Sequence, residues 1–392
     1  MYNILKLNKI AKIGLDKLNP DIFSHSDDVG DPDGVLVRSA SLHEFPLDGN
    51  LKAIARAGAG VNNIPVDRCA EAGIVVFNTP GANAGGVKEL ALCALFLASR
   101  DIANGIAWAK TLSGRGDEVP KLVEKGKSQF AGSEIVGKTL GVIGLGAIGI
   151  MVANAARELG MNVMGFDPFI SVDAAWGLSR SVYHATNLKQ IYAECDYISL
   201  HLPLNTDTRD TINAEVLAQC KPGVRIINLA RGELVNNTDM LAALDAGQAA
   251  SYVTDFPSDA VLSHPKVVPI PHLGASTAES EDNCAVMACD ELSDYLRFGH
   301  IKNSVNFPDI TLDFGSGGAR LCVAHRNIPN MVSAVTSMLA DAGINIDNMV
   351  NKSKKDYAYS LLDITAAPDE AVLNCLRDRD GILFVRVIDK KE

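Results

Sequence analysis

The chain has 392 residues, 47% of them hydrophobic and 21% charged, which is too long for one ordinary core and apolar enough to fill two or three without a signature of disorder. Its net charge of −11 argues against nucleic acid or an anionic membrane as the main partner, so an anionic ligand has to be met by a local basic cluster. No apolar run reaches the roughly 18 residues of a membrane span, and Met1 to Pro20 lacks the long apolar core and small-residue cleavage site of a signal peptide; a cytoplasmic protein with no membrane partner is expected.

In chain order, short apolar strands at Val35 to Val37, Leu51 to Ala55 and Ile74 to Phe77 alternate with helix-like stretches such as Val66 to Ala72, an α/β pattern without a dinucleotide fingerprint. Val87 to about Lys110 is apolar enough for one buried connecting helix. The strand predicted at Thr139 to Ile143 runs directly into Gly144-Leu145-Gly146-Ala147-Ile148-Gly149, and a helix pattern opens at about Ala147. GxGxxG is weak evidence in a chain with 33 glycines, but its flanks are those of a pyrophosphate cradle. In that reading Gly144 makes the tight turn, and the backbone N–H groups at the helix start, around Gly146, Ala147 and Ile148, face the phosphates. A second strand, Asn162 to Phe166, ends at Asp167, eighteen residues beyond Gly149, where a carboxylate binds the adenosine ribose and repels a 2′-phosphate; NAD is the predicted cofactor.

Further strands at Tyr197 to Leu200, Arg225 to Asn228, Ser251 to Thr254 and Val267 to Ile270, with a helix at Asp239 to Ala246, complete a doubly wound parallel sheet. An apolar helix, Asn283 to Phe298, is expected to rejoin the N-terminal lobe. Pro308 to Gly318, with Gly315-Ser316-Gly317-Gly318, reads as a flexible linker that lets the C-terminal residues move relative to the lobes before them. Strand, helix, strand, strand, helix, strand then succeed one another at Arg320 to Ala324, Asn330 to Ala342, Ile344 to Lys352, Tyr357 to Ile364, Asp369 to Asp378 and Ile382 to Ile388, a ferredoxin-like βαββαβ module. The predicted α/β architecture is therefore a Rossmann-type sheet inserted in a flavodoxin-like substrate domain, plus the terminal module. Its expected boundaries are 1–97 and 283–310 for the substrate domain, 98–282 for the dinucleotide domain, 311–318 for the linker and 319–392 for the module.

Chemistry-bearing side chains recur at the carboxyl ends of successive strands, where open α/β sheets bind ligands. Arg231 follows Asn228, Asp255 and Asp259 follow Val253, and His272 follows Ile270. Hydride transfer beside a nicotinamide needs such a set: a base for the hydroxyl proton, a carboxylate for that base, and a cation for an acidic substrate. The eight cysteines, at 69, 93, 195, 220, 284, 289, 322 and 375, form no CxxC pair and are expected to be mostly buried thiols; no metal-ligand spacing occurs, so no metal is predicted.

These residues, with Arg56-Ala57-Gly58-Ala59-Gly60-Val61-Asn62-Asn63-Ile64 and Asn78-Thr79-Pro80-Gly81-Ala82-Asn83, resemble the D-isomer-specific 2-hydroxyacid dehydrogenases over roughly the first 310 positions. The resemblance implies that amides around Ala59 and Gly60 hold the substrate carboxylate, with Asn83 beside them, and that Arg56, helped by Arg38, faces a phosphate on a small phosphorylated 2-hydroxy acid. It implies further that Arg231 binds the carboxylate and polarises the carbonyl and that His272 is the acid/base. Asp255, Pro203, Ala230, His272 and Gly274 then lie on the cofactor side. The family usually has glutamate as the histidine's partner; here Asp259 is the shorter replacement. Ala147 stands where many relatives carry arginine, which removes one phosphate contact and leaves the backbone cradle. A glyoxylate or D-lactate reductase of the same class has no need of the phosphate-facing arginine, and a dinucleotide-sensing corepressor keeps the fold without turnover.

The C-terminal module resembles the amino-acid-binding ACT domain through His325-Arg326-Asn327-Ile328-Pro329-Asn330 and Gly343-Ile344-Asn345-Ile346. That resemblance implies an effector site of His325, Asn327 and Asn345 for L-serine at an interface between subunits, in a homodimer or homotetramer. The alternative is a module that only oligomerises. Asn330 replaces a frequent glycine, which the left-handed turn there tolerates.

Overall fold

A computed structural model describes residues 1–47, 49–313 and 318–389, so Gly315, Ser316 and Gly317 of the predicted linker lie outside the described residues. The chain divides into two compact units, 1–83 with 281–392, and 84–280.

The second unit is built on a seven-stranded sheet. Its parallel strands run, in spatial order, Val267–Pro269, Ala249–Thr254, Val224–Asn228, Tyr197–Leu200, Thr139–Ile143, Asn162–Phe166 and Tyr183–His184. The order reverses at Thr139–Ile143, which is the switch point of a doubly wound sheet and the place where its ligand crevice opens. Strands such as Tyr197–Leu200 are buried at every residue, as expected for a sheet covered on both faces. The predicted Val87 to Lys110 helix is in fact two, Ala84–Ser99 and Ile102–Thr111, bent by 71°. Burial decides the break: the first helix sinks Ala91, Ala94, Leu95 and Ala98 into the core, whereas the second buries no residue. Among the described residues no single helix is long and apolar enough to cross a membrane.

The first unit holds a five-stranded parallel sheet in the order Phe23–Ser26, Tyr2–Leu7, Gly34–Val37, Ala53–Arg56, Val75–Phe77, the flavodoxin-like arrangement. The 21-residue helix Ala278–Phe298 enters this unit and buries Cys284, Ala285, Ala288, Cys289, Leu292, Tyr295 and Leu296 in its core. The terminal module is an antiparallel sheet in the order Ile346–Lys354, Tyr357–Ile364, Ala319–Arg326, Ile382–Asp389, with helices Met331–Asp341 and Glu370–Arg377, the βαββαβ topology.

The sheet face away from those helices carries Cys322, Ala324, Tyr359, Leu361 and Ile388, which share one core with Ile4, Leu36, Leu292 and Tyr295. Two buried arginines fasten the module further. Arg386 donates to the carbonyls of Tyr295 (2.7 Å) and Leu296 (3.2 Å), and Arg320 donates to that of Phe298 (3.0 Å) while pairing with Asp363 at 2.7 and 3.0 Å. Those carbonyls lie in the last turn of the 278–298 helix, where only that of Tyr295 also accepts a backbone N–H among the described residues, from Gly299 (2.8 Å), so two guanidinium groups help cap it from the neighbouring sheet. A fork of two hydrogen bonds is the geometry in which a buried Arg–Asp pair is tolerated. At the rim Glu71 accepts from Tyr357 (2.6 Å) and pairs with Arg326. The module is thus docked on the substrate lobe, where the glycine-rich stretch alone implies a mobile appendage.

Candidate active site

In the second unit the 139–143 strand delivers the chain into Gly144 at φ +94°, and a Cβ there would lie 2.4 Å from the His201 carbonyl oxygen. Gly149 permits the helix to pack, since its Cβ would sit 1.9 Å from the Gly144 carbonyl oxygen. A Cβ on Gly146, by contrast, would meet no atom within 4 Å. The 12-residue helix Ala147–Glu158 begins at Gly146 with no side-chain cap, and both Gly146 and Ala147 are exposed, with Ile148 half-buried. Open space over uncapped N–H groups fits a dinucleotide diphosphate. Asp167 accepts from the N–H groups of Leu145 (2.9 Å) and Phe169 (2.8 Å), so it also ties the glycine loop to the next strand. His201, beneath the loop, bonds Ser199 Oγ at 2.9 Å, and burial pushes its imidazole down to about 4, which keeps it neutral. Pro203 is exposed two residues further on.

Three predicted groups gather at the ends of the next strands. Asn228, fully buried, accepts from the Ala230 N–H (3.2 Å) and donates to the Arg231 carbonyl (2.8 Å), which fixes the turn presenting Arg231; the guanidinium donates to the Ala230 carbonyl at 2.6 Å. Asp255 is 1% exposed, and its Oδ1 has no hydrogen-bond partner among the described residues. Burial raises its carboxyl above the ordinary value; the charge of His272 opposes this most, followed by the N–H groups of Asp255 and Gly274 and by Arg231. His272 is exposed and packs on Phe256, with ring centroids 4.5 Å apart at 51°.

Asp259 does not join this group. It is exposed at the start of the short helix Asp259–Leu262, and no hydrogen bond or ion pair connects it to His272 among the described residues. The predicted shorter substitute for the family's glutamate thus faces solvent, and the carboxylate in electrostatic contact with His272 is Asp255. Asn228 and Phe256 escape a reading of the sequence alone. A polar residue ending the apolar run Ile226-Ile227-Asn228 is the signal for the first; Phe256 carries none beyond adjacency to Asp255.

In the first unit the exposed Ala59 and half-buried Gly60 present N–H groups that no protein acceptor takes among the described residues, the arrangement a carboxylate needs. Asn83 is half-buried where this unit ends. The two arginines are already engaged. Arg56 donates through Nε to the Arg38 carbonyl (3.0 Å) and through a second nitrogen to the Gly60 carbonyl, bracing the loop, while Arg38 pairs with Glu281 at 2.7 Å. Burial raises the Cys284 thiol, which Thr79, Arg38 and Arg56 oppose and Glu281 reinforces.

In the module His325 is 3% exposed, with Nδ1 against the Arg326 carbonyl (2.8 Å) and Nε2 against Asn351 Oδ1 (3.1 Å) and Ser360 Oγ (3.2 Å). Asn327 is exposed nearby and donates to the Lys355 carbonyl. Asn345 is exposed beyond the other end of the sheet, since His325 faces Ala358 whereas Ile346 faces Ile364, the partner of Ala319. Six residues of strand place His325 and Asn345 about 20 Å apart. One chain does not bring the three together. Asn330 has φ 69°, the expected left-handed turn.

Residues 94–274 match the family described as D-isomer specific 2-hydroxyacid dehydrogenase, NAD binding domain. The chain is 31% identical over 331 residues to D-3-phosphoglycerate dehydrogenase of Bacillus subtilis (strain 168), covering 80% of this chain and 60% of that protein. It is 36% identical over 291 residues to the enzyme of that name from Methanocaldococcus jannaschii, covering 72% and 53% respectively. The chain therefore spans between about half and three fifths of these relatives' length. Among solved structures, NAD⁺-bound 3-phosphoglycerate dehydrogenase from Entamoeba histolytica aligns with a TM-score of 0.59 at 26% identity, covering 78% of this chain and 98% of that one. A glyoxylate reductase from Paecilomyes thermophila shares the fold, with a TM-score of 0.63 at 24% identity and coverages of 78% and 98%.

Proposed function

We propose that the chain, whose residues 94–274 match the NAD-binding domain of the D-isomer specific 2-hydroxyacid dehydrogenases, is a member of that family and oxidises D-3-phosphoglycerate reversibly to 3-phosphohydroxypyruvate with NAD, the entry reaction of L-serine synthesis. The observation that carries the reading is the Arg231, Asp255 and His272 group at the carboxyl ends of a sheet with an NAD-binding cradle. NAD, when bound, supplies the acceptor for the hydride that leaves C2. His272 takes the C2 hydroxyl proton, and the buried Asp255 carboxylate favours the imidazolium that results. Arg231, held by Asn228, grips the substrate carboxylate with a planar fork and stabilises charge on the carbonyl oxygen. In the first unit, the N–H groups of Ala59 and Gly60, which no acceptor takes among the described residues, suit a carboxylate, as the family resemblance implies. Steady-state oxidation of D-3-phosphoglycerate, D-glycerate, D-lactate and glycolate tests this, and the phosphorylated acid is expected to have the highest kcat/KM.

Comparison of two carboxylate variants separates the candidates for the histidine's partner. D255N is expected to lower kcat at least about tenfold, and D259N to stay within about twofold, because only the first removes a buried charge beside His272. The reverse ranking would return the role to Asp259.

A second reading has a specific observation behind it. With Arg38 paired to Glu281 and Arg56 bonded to loop carbonyls, an unphosphorylated 2-hydroxy acid of glyoxylate or lactate type also suits the first unit. The same substrate panel distinguishes the two.

For the terminal module we propose an ACT regulatory role with L-serine as effector. His325 and Asn345 lie at opposite ends of the sheet, so a site using both needs a second chain, in keeping with a homodimer or homotetramer. Deleting the module would uncover Leu292 and Tyr295, so point variants are the cleaner probe. L-serine is expected to inhibit, with N345A weakening inhibition about tenfold and kcat unchanged. A wild type that millimolar serine neither inhibits nor binds in calorimetry would leave the module an assembly element.

A further inference from the structure

Glu281 has no part in the chemistry above, yet its carboxylate stands 2.7 Å from Arg38, which the family resemblance places with Arg56 toward a substrate phosphate. Arg38 follows the strand Gly34–Val37 at its carboxyl end, and Glu281 lies in the first turn of the 278–298 helix, where a helix dipole favours a carboxylate. Both side chains are more than two fifths exposed, so the pair adds little to folding and remains accessible to a ligand. Arg56 and Thr79 share the surroundings of Cys284 with this pair, and burial keeps that thiol protonated and uncharged. Of the two guanidinium groups, that of Arg56 is bonded to backbone carbonyls, and that of Arg38 is engaged by the Glu281 carboxylate.

We propose that Glu281 is a specificity-determining residue that sets how much negative charge the Arg38 site accepts. A phosphate that binds Arg38 meets the Glu281 carboxylate there, so the dianion must displace Glu281 or bind as the less repelled monoanion. Substrate selection at this end of the molecule is then a competition between two anions for one guanidinium. The inference rests on the phosphorylated-substrate reading proposed above, and it makes Glu281 a brake on that substrate.

The test is the steady-state comparison of wild type, E281Q and E281D on D-3-phosphoglycerate and on D-glycerate. E281Q is expected to lower KM for the phosphorylated acid by roughly tenfold, the scale of one partly screened charge at close range, with kcat and the KM for D-glycerate within about twofold. E281D keeps the charge and is expected to keep the wild-type ratio. Wild-type KM for D-3-phosphoglycerate should rise between about pH 6 and pH 8 as the phosphate loses its second proton, and E281Q should flatten that rise. Equal changes on both substrates, or a higher KM for the phosphorylated one in E281Q, would overturn the proposal. A wild type that oxidises D-glycerate alone would contradict the proposed reaction instead, and a gain of the phosphorylated acid in E281Q would then still uphold the role of Glu281. Where turnover is too low to fit, calorimetric Kd values for the two acids carry the same comparison.

Discussion

His272→Ala is expected to lower kcat for D-3-phosphoglycerate oxidation by about 10² to 10⁴, the usual contribution of a positioned acid/base group and equivalent to about 2.7 to 5.5 kcal/mol in the barrier. The imidazole is exposed, packs on Phe256 and lies within the field of Asp255, so the substitution removes the proposed proton acceptor and leaves the core intact. The proposed dinucleotide cradle draws on Gly144, Gly146, Gly149 and Asp167 rather than on this ring, and NAD affinity should change by no more than about twofold. Stopped-flow turnover together with equilibrium NAD titration checks both halves. Wild-type turnover in this variant would remove His272 from the mechanism.

Arg231→Lys is expected to be nearly as severe, with kcat/KM reduced about a hundredfold or more. Lysine keeps the charge but loses the planar fork that binds a carboxylate through two parallel hydrogen bonds. It also loses the bond to the Ala230 carbonyl that, with Asn228, sets where the guanidinium points. Steady-state kinetics on the same acid measure the effect, and near-normal kcat/KM would identify another anchor for the carboxylate.

The doubly wound sheet is legible in the sequence because strands covered on both faces read as unbroken apolar runs, as in Tyr197–Leu200, and because Gly144 and Gly149 of the glycine motif stand where a side chain would collide with backbone. Arg231 and His272 are legible for a related reason: a charged residue soon after such a run falls at a strand's carboxyl end. The burial of the two candidate carboxylates is not. Asp255 and Asp259 stand four positions apart, and the helix that starts at Asp259 sends one to solvent while the strand end buries the other. That choice is made by tertiary burial, which spacing does not encode.

The bend between Ser99 and Ile102 is hidden similarly, since helical periodicity continues through it and only the loss of a packing surface ends the first helix. The docking of the terminal module is hidden more deeply. Arg320 and Arg386 alternate with apolar neighbours like charges on a solvated sheet face, yet that face covers the end of the 278–298 helix and both arginines are buried there. Nothing in a strand's sequence records that a distant helix needs donors for its last carbonyls. The engagement of Arg38 by Glu281, across 243 positions, is a contact of the same kind.

The most direct test of the proposed reaction is the fate of the C2 hydrogen. Purified protein is mixed with NAD and D-3-phosphoglycerate carrying deuterium at C2, and the reduced nicotinamide is examined by proton NMR. Deuterium at C4 of the product cofactor, with 3-phosphohydroxypyruvate formed in equal amount, is the predicted result. Absence of labelled product from this acid, with transfer seen only from an unphosphorylated 2-hydroxy acid, would contradict the proposed reaction.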